Sequence, residues 1–546
     1  MIYVSIVFIL FAGTIAILLY RANNIPTPKI DQTLIDHHVL TSTDSRTTCG
    51  KGIRLNNPYG FYETYTCGDP FERAYCMGMV LQDLKFEHES NFVASIRELV
   101  PSKIKTYLLK IFIGVLNRNL HHYFKQEYKE ELYALSLSSN PKFNYIASPY
   151  QRILNYHAAH DIGHTLQNYG LVGCSSFVVR NGKSTDGQLL LARNLDFSPS
   201  EDFNKLKVLY FIKPSRGYRF VSYSWPGFIG VISGMNEHGL CVVLHATKSK
   251  VQPSIGTPVS IIARQILQDA ANISEARAIL KKRKSFVSEL FLVCSKQDKS
   301  AVVFEKDLHA VNEYQMENDL LICTNHLLSE ASKNLPENIE WQNTISSAYR
   351  TKRLKELIGK YPNISTVDSV KILRDVRGLN DENIGLQNEN AINQLAAHHG
   401  IIFEPEKGKF WVSANPYMMG EFVAYDFDES FKKFEDNSFN ERTVSYSSLP
   451  QDRFLESDEY HEFLNYKMRK RMLQNACKTK SKLHEEDVKA FEDSNPLLFA
   501  THELLGDYFL SIKAYQRGKS AYAKALTLNI PTLFDKKRIE KKWNKA

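Results

Sequence analysis

Cysteine is scarce in this chain: eight in 546 residues, too few to staple a disulfide scaffold. A large excess of either charge is missing too. Lys and Arg number 68 against 60 Asp and Glu, and the net of +8 does not by itself call for a nucleic-acid partner. Compositional bias is also absent. With 43% hydrophobic and 23% charged residues, the chain is neither wholly disordered nor collagen-like. At about 150 residues per domain, the length allows two to four units, or one large enzyme fold with appendages.

A long apolar run is present at the start. Residues Ile2 to Tyr20 carry no charge before Arg21, and at 1.5 Å per residue they just span a hydrocarbon core of about 30 Å. No Lys or Arg precedes the run and no small-x-small cleavage site follows it. Residues 1–22 therefore read as a retained single-pass membrane anchor, not a cleaved signal peptide. Arg21 and Lys29 flank it, too few charges to fix the side of the membrane. Residues 23–48 are polar with two prolines and read as a linker.

Beyond them the pattern is mixed. Residues 49–173 read as a helical N-terminal segment, with helices over 101–137 and 148–170. Short strand patterns follow at 174–180, 188–194, 207–213, 218–225, 227–233 and 240–246, bounded by turn signals such as Asn181-Gly182 and Asp186-Gly187. Helices are expected over 258–270, 272–283 and 345–360. Residues 289–295 and 301–307 pattern as a hairpin, and 400–406 and 409–415 as late strands. Strands beside segregated helices imply an α+β fold with a core over 174–430. Residues 431–460 read as a linker. Residues 461–546 are charged and helical, and Leu505-Gly506, Phe509, Gly518, Tyr522, Ala525 and Pro531 approximate one tetratricopeptide unit. One such unit cannot bury its own face, so it needs a neighbouring helix, the enzyme body or a protein partner.

The chemistry-bearing segment is Gly173 to Phe197, GCSSFVVRNGKSTDGQLLLARNLDF. It places a cysteine at the start of one strand and Arg193-Asn194-Leu195-Asp196 at the end of the next. A hairpin of these lengths brings the two ends together. A cation beside a thiol raises its thiolate fraction. No histidine has a clear place beside Cys174. One base remains: the α-amine of Cys174 itself, if the Gly173–Cys174 bond is cut.

This segment resembles the N-terminal-nucleophile (Ntn) hydrolases of the choloylglycine hydrolase and penicillin acyltransferase kind. It is most similar to the acyl-coenzyme A:isopenicillin-N (6-aminopenicillanic acid) acyltransferase branch, which are autoproteolytic cysteine enzymes. Further landmarks keep the family's order: 73–82, 128–136, 154–163, 227–246, 323–330, 349–358 and 398–426. The resemblance covers about residues 60–430 and implies a four-layer αββα core. It implies Cys174 as nucleophile freed by cleavage after Gly173, Arg193 as the arginine beside the thiol, and Asp196 as the aspartate that binds the new α-amine. It implies Asn325 as the residue that positions the amine or the reacting carbonyl, and Arg353 as the second arginine, with Arg350 as a rival. Asn236 falls in a structural Asn-Glu-x-Gly-Leu turn. The family's oxyanion asparagine falls near His245, so either this imidazole or a backbone N–H would hold the oxyanion.

The resemblance thus implies an amidohydrolase or acyltransferase working through an acyl-enzyme, with no cofactor or metal and a small-molecule acyl substrate. The apolar N-terminus adds the expectation of a lipid-like acyl group at a membrane. Two other readings compete. His157, His160 and His164 share a helix face at i, i+3, i+7, the spacing of a metal-dependent hydrolase. Alternatively, the chain is a non-catalytic anchored interaction protein docking through its C-terminal helices. The adjacent pairs His121-His122 and His398-His399 are expected to point to opposite sides of their elements. Cys174, opening an apolar strand, has a bland reading as a core cysteine. Arg193 with Asp196 has one as a surface ion pair.

Overall fold

The computed structural model describes residues 20–22, 24–166, 172–197, 201–248, 255–308, 310–436 and 448–546. Two large sheets stack face to face. The first has eleven strands: Leu40–Ser42, Arg46–Cys49, Gly52–Asn56, Tyr62–Gly68, Val208–Pro214, Phe220–Ser224, Ser233–Asn236, Leu240–Ala246, Glu289–Ser295, Ser300–Lys306 and Val311–Gln315. The second orders six: Leu320–Cys323, Val172–Asn181, Gly187–Phe197, Ala397–Glu404, Lys409–Ser413 and Phe422–Asp426. Every neighbouring pair is antiparallel except Tyr62–Gly68 with Val208–Pro214.

Strand alternation explains the layers. On the second sheet Val178, Leu191, Ile401 and Val412 face the first sheet, where they meet Leu209, Phe211, Val243 and Leu292. The residues between them, Phe177, Ala192 and Ile402, face helices Ser347–Gly359 and Thr366–Leu373. The far face of the first sheet is covered by helices that include Val259–Asp269 and Ile273–Lys282. The order is helices, sheet, sheet, helices, because each sheet has two apolar faces to remove from water. An aromatic cluster locks the sheets at one end. Phe211 lies 5.0 Å from Phe434 and 5.6 Å from Phe431, and Tyr65 stacks on Phe434 at 5.2 Å.

Several expectations are corrected. The segment 49–173 is not simply helical, since it supplies strands to the large sheet. The expected linker 23–48 already contains strands Leu40–Ser42 and Arg46–Cys49. Tyr62–Gly68 pairs in register with Val208–Pro214, so chain on both sides of residue 173 is woven into one sheet. The apolar run 227–233 forms a buried loop, and only Ser233 enters a strand. Its amides find partners outside any ladder: Gly227 N on Tyr210 Oη, Ile229 N on His157 Nε2 and Val231 N on the Ser260 carbonyl. The helical reading of 101–137 breaks between Lys103–Asn117 and Gln126–Leu137. The region read as linker 431–460 starts inside helix Phe427–Glu435.

The membrane placement is also corrected. Among the described residues no helix is long and apolar enough to cross a membrane. Residues 1–19, on which the expected span falls, lie outside the described residues.

Helices Asp458–Thr479, Glu485–Ser494, Phe499–Ser511, Tyr515–Leu526 and Leu533–Lys545 form a C-terminal bundle around Tyr466, Phe491, Tyr508, Tyr522 and Ile539. In the hairpin of Phe499–Ser511 with Tyr515–Leu526, a Cβ at Gly506 would lie 2.3 Å from the Tyr522 ring, so only glycine admits this approach. The bundle shares its core with Leu386, Leu395 and Met419 of the two-sheet body. Asn495 exchanges hydrogen bonds with the Leu386 backbone at 3.2 and 2.9 Å. Asn388 and Asn390 donate to Asn529 at 2.9 and 2.7 Å. The loop around 384–396 is thereby clasped between body and bundle.

Removing a ring from the inter-sheet cluster leaves a cavity that a two-sheet core cannot refill. Phe211→Ala is expected to cost about 3–5 kcal/mol, measured as a lower midpoint in chemical denaturation. An unchanged midpoint would show that the cluster does not hold the sheets.

Candidate active site

The site begins with a hairpin register. Val172–Asn181 pairs with Gly187–Phe197 so that Gly173 faces Asp196, Cys174 faces Leu195 and Ser176 faces Arg193. The connecting turn is local. Asn181 and Gly187 take positive φ of 45° and 76°, and the Asp186 carboxylate accepts from the Gln188 amide at 3.0 Å. With a period of two, Cys174, Ser176 and Arg193 point between the sheets. Gly173, Ser175, Asn194 and Asp196 belong to the helix-side face.

Between the sheets, the Arg193 guanidinium reaches the Cys174 sulfur at 3.7 Å. It also donates to the Leu244 carbonyl at 2.8 Å and to Ser233 Oγ. Both residues are buried, Cys174 at 1% exposure and Arg193 at 0%. Burial pushes the Cys174 thiol up, while Arg193, Arg350 and the Ala246 backbone N–H pull it down.

On the helix side, the Cys174 backbone N–H donates to Asn325 Oδ1 at 2.8 Å. That oxygen also accepts from Arg350 Nη2 at 2.8 Å. Asn325 Nδ2 donates to the Ala246 carbonyl at 2.8 Å, and the Asn325 amide donates to Ser347 Oγ at 2.7 Å. Arg350 Nη1 donates to the Cys174 carbonyl at 2.5 Å and to Ser175 Oγ at 2.9 Å. Gly173 is a glycine for a packing reason, since a Cβ there would lie 2.5 Å from Gln394 Nε2. Asp196 is 2% exposed, and burial raises its carboxyl to about 7 against the pull of Arg350, the Gln394 amide and Arg193.

The structure brings Cys174, Arg193, Asp196, Gly173 and Asn325 together. Arg353 is not among them. Helix Ser347–Gly359 separates Arg350 from Arg353 by about 4.5 Å along its axis. At that height Arg353 meets Asp375 at 2.8 Å, Asp381 at 2.8 Å and Glu356 at 2.7 Å. Arg350, the rival, is the second arginine at Cys174.

His245 is fully buried, and its Nε2 lies 2.8 Å from Ser176 Oγ. Burial beside Arg193 and Arg350 holds its ring well below the usual imidazole range, so it is neutral. The group directed at the sulfur from this strand is the Ala246 N–H. Asn236 caps its turn as expected, donating to the Leu267 and Ala270 carbonyls at 2.9 and 2.7 Å.

The histidine-face reading loses its first member. His157 Nδ1 donates to the Ile153 carbonyl at 2.8 Å and Nε2 accepts from the Ile229 amide at 3.0 Å, leaving no lone pair for a metal. The side chains of His160 and His164 lie outside the described residues.

Sequence reasoning missed Glu289, which opens its strand opposite Ala246 and is fully buried. Burial, reinforced by Asp161, pushes its carboxyl well up, with Arg193 opposing. Its only sequence signal is an acidic residue heading the apolar run LFLVC.

Arg350→Ala is expected to slow alkylation of Cys174 by at least tenfold at pH 7, as a lost charge partner requires. Arg353→Ala is expected to lower thermal stability without moving that rate. The opposite pattern in iodoacetamide kinetics would return the role to Arg353.

Comparison with known proteins agrees on the region. Residues 180–415 match the model of a family described as acyl-coenzyme A:6-aminopenicillanic acid acyl-transferase. An uncharacterized protein of Archaeoglobus fulgidus is 29% identical over 272 residues, covering 45% of this chain and 44% of that protein. Protein dcd1A of Dictyostelium discoideum is 23% identical over 261 residues, covering 42% and 55%. The chain spans about half the length of the curated relatives it matches. Among solved structures, a Caenorhabditis elegans N-acylethanolamine-hydrolyzing acid amidase ortholog aligns at 19% identity and TM-score 0.32, covering 43% and 93%. A conjugated bile acid hydrolase from Clostridium perfringens aligns at 13% identity and TM-score 0.31, covering 47% and 93%. The matched segment holds Arg193, Asp196, Asn325 and Arg350, starts six residues after Cys174, and bears out the resemblance to the Ntn acyl-transferase family read from the sequence.

Proposed function

We propose that this chain is an Ntn-type cysteine enzyme that cleaves or transfers amide- or thioester-linked acyl groups through an acyl-enzyme on Cys174. The observation that carries this reading is the arrangement at one peptide bond. The Cys174 sulfur faces a guanidinium at 3.7 Å, its own N–H is held by Asn325 at 2.8 Å, and Asp196 stands opposite Gly173. A core cysteine needs none of these partners.

The chemistry starts on the chain itself. The Cys174 sulfur bonds to the Gly173 carbonyl carbon, the Gly173–Cys174 C–N bond breaks, and the thiol proton passes to the departing nitrogen. Water then cleaves the thioester, leaving a Gly173 carboxylate and a Cys174 with free thiol and free α-amine. Asn325 and Asp196 lie where that amine forms, the first as hydrogen-bond acceptor and the second as counter-charge. The amine, with pKa near 8 in its ordinary state, takes the thiol proton when a substrate arrives, and the sulfur attacks the acyl carbonyl. The Ala246 N–H stabilises the oxyanion; losing one such donor typically costs about 10²–10³ in rate. Water or an acceptor amine or alcohol completes the cycle. Arg350 anchors the Cys174 carbonyl, so the new N-terminus keeps its place after the cut.

Processing tests the reading. Purified protein is expected to resolve into two fragments on a denaturing gel, the larger beginning Cys-Ser-Ser-Phe. Cys174→Ala is expected to stay whole and inactive, while Cys477→Ala processes normally. An active Cys174→Ala protein would end the proposal.

Asp196 adds a pH signature. Its folded carboxyl holds a proton up to about pH 7, against an ordinary value of 3.8. The penalty of burying its charge is therefore absent below about pH 4, grows between 4 and 7, and is complete above 7. In the uncleaved Cys174→Ala background, Asp196→Asn is expected to raise the melting temperature at pH 8 and leave it unchanged near pH 4. Equal effects at both values would show that the carboxylate is not desolvated.

A further inference from the structure

Adjacent side chains on a regular strand point to opposite faces, yet His398 and His399 meet. Strand Ala397–Glu404 pairs Ala397 with Asp196 and His399 with Leu195, so His398 is an extra, bulged residue. The bulge sets the two imidazole Nδ1 atoms 2.7 Å apart. Both rings are fully buried, His398 against Trp225 at 4.9 Å and His399 against Tyr223 at 5.0 Å.

The protons in this pair follow from donor counting. His399 Nε2 lies 3.1 Å from Arg193 Nη1 and 2.9 Å from Ser233 Oγ. A guanidinium only donates, so Nε2 is a bare acceptor. Ser233 Oγ accepts from the same Nη1 and turns its own proton toward Nε2. A neutral His399 must then carry its proton on Nδ1 and donate it to His398 Nδ1. His398 in turn keeps its proton on Nε2, a buried nitrogen with no hydrogen-bond partner among the described residues. Burial, with Lys207 and Arg193 alongside both rings and His88 beside His398, keeps them well below the usual imidazole range and hence neutral.

We propose that the His398–His399 pair is a positioning relay for Arg193, a chain of neutral acceptors that holds the guanidinium over the Cys174 sulfur without cancelling its charge. The hydrogen-bond acceptors of the Arg193 Nη groups are Ser233 Oγ, His399 Nε2, the Leu244 carbonyl and the sulfur itself. None is a carboxylate. Arg353 in the same chain shows the contrast, bound by three carboxylates. With no carboxylate among its hydrogen-bond acceptors, the Arg193 charge stays available to the Cys174 sulfur and lowers that thiol against the rise caused by burial. The other groups felt by the thiol are Arg350, Glu289, Cys323 and the Ala246 N–H, and the hydrogen bonds of His398 and His399 go to none of them.

This inference rests on Cys174 being the reactive thiol, and the test separates the two ideas. In the full-length protein, iodoacetamide alkylation of Cys174 is followed against pH by mass spectrometry, with the half-exposed Cys477 as internal reference. His399→Glu sets a carboxylate against Arg193 and is expected to move the Cys174 profile up by about one pH unit, about a tenfold slower rate near neutrality. His399→Gln keeps a neutral acceptor and is expected to stay near the parent profile. His398→Leu removes the acceptor for the His399 Nδ1 proton, lets it move to Nε2 against Arg193, and is expected to shift the profile upward. It also decides the matter if the Glu variant does not fold. Equal profiles for His399→Glu, His398→Leu and parent would overturn the relay alone. A parent Cys174 no more reactive than Cys477 would overturn the relay together with the nucleophile reading.

Discussion

The hairpin register between Val172–Asn181 and Gly187–Phe197 decides what meets at Cys174. A slip of one residue would put Cys174 and Arg193 on opposite faces of the sheet and bring Asp196 to the face of Cys174. The register is fixed locally by the turn at 181–187 and globally by burial on both faces of the sheet. Two guanidinium groups then approach one peptide unit from opposite sides, Arg193 at the sulfur and Arg350 at the carbonyl. Burial without carboxylate partners is costly for each. The same burial makes them effective on a developing negative charge, because little water screens them.

The two-sheet stack brings residues distant in sequence to this bond. Asn325 follows a strand of the second sheet and is held by Ser347 and Trp341. Ala246 ends a strand of the first sheet and is tied back by Asn325. The loop carrying Gln394 is clasped by the C-terminal bundle through Asn495 and Asn529. Glu389 in that loop senses both Arg350 at the site and Arg538 in the bundle. The bundle therefore braces one wall of the site as well as burying its own apolar faces. Chain from both sides of residue 173 shares the large sheet through Tyr62–Gly68 and Val208–Pro214, so cleavage there would not separate the halves.

Legibility followed locality. Cys174, Arg193 and Asp196 were readable because one hairpin of known turn chemistry joins them. Asn325 was readable only through family resemblance, since its contact to Cys174 spans 151 residues. Arg350 and Arg353 could not be told apart, because residues three apart share a helix face and differ mainly in height. The His398-His399 pair was expected to diverge, and a bulge that no sequence pattern announces made it converge. Run 227–233 was misread because a buried loop is as apolar as a buried strand, and only its hydrogen-bond partners distinguish them.

The sequence by itself determined the local pieces: an apolar α+β core, a hairpin with a thiol, a guanidinium and a carboxylate at its open end, and a charged helical extension. Period-two burial and turn residues specify these without long-range contact. Only the tertiary structure decided which arginine faces the Cys174 carbonyl, that His245 turns to Ser176, that the Ala246 N–H addresses the sulfur, and that His399 meets both Arg193 and its neighbour His398. Those choices depend on how far one element slides along another, and that is set by packing summed over two sheets and their covering helices.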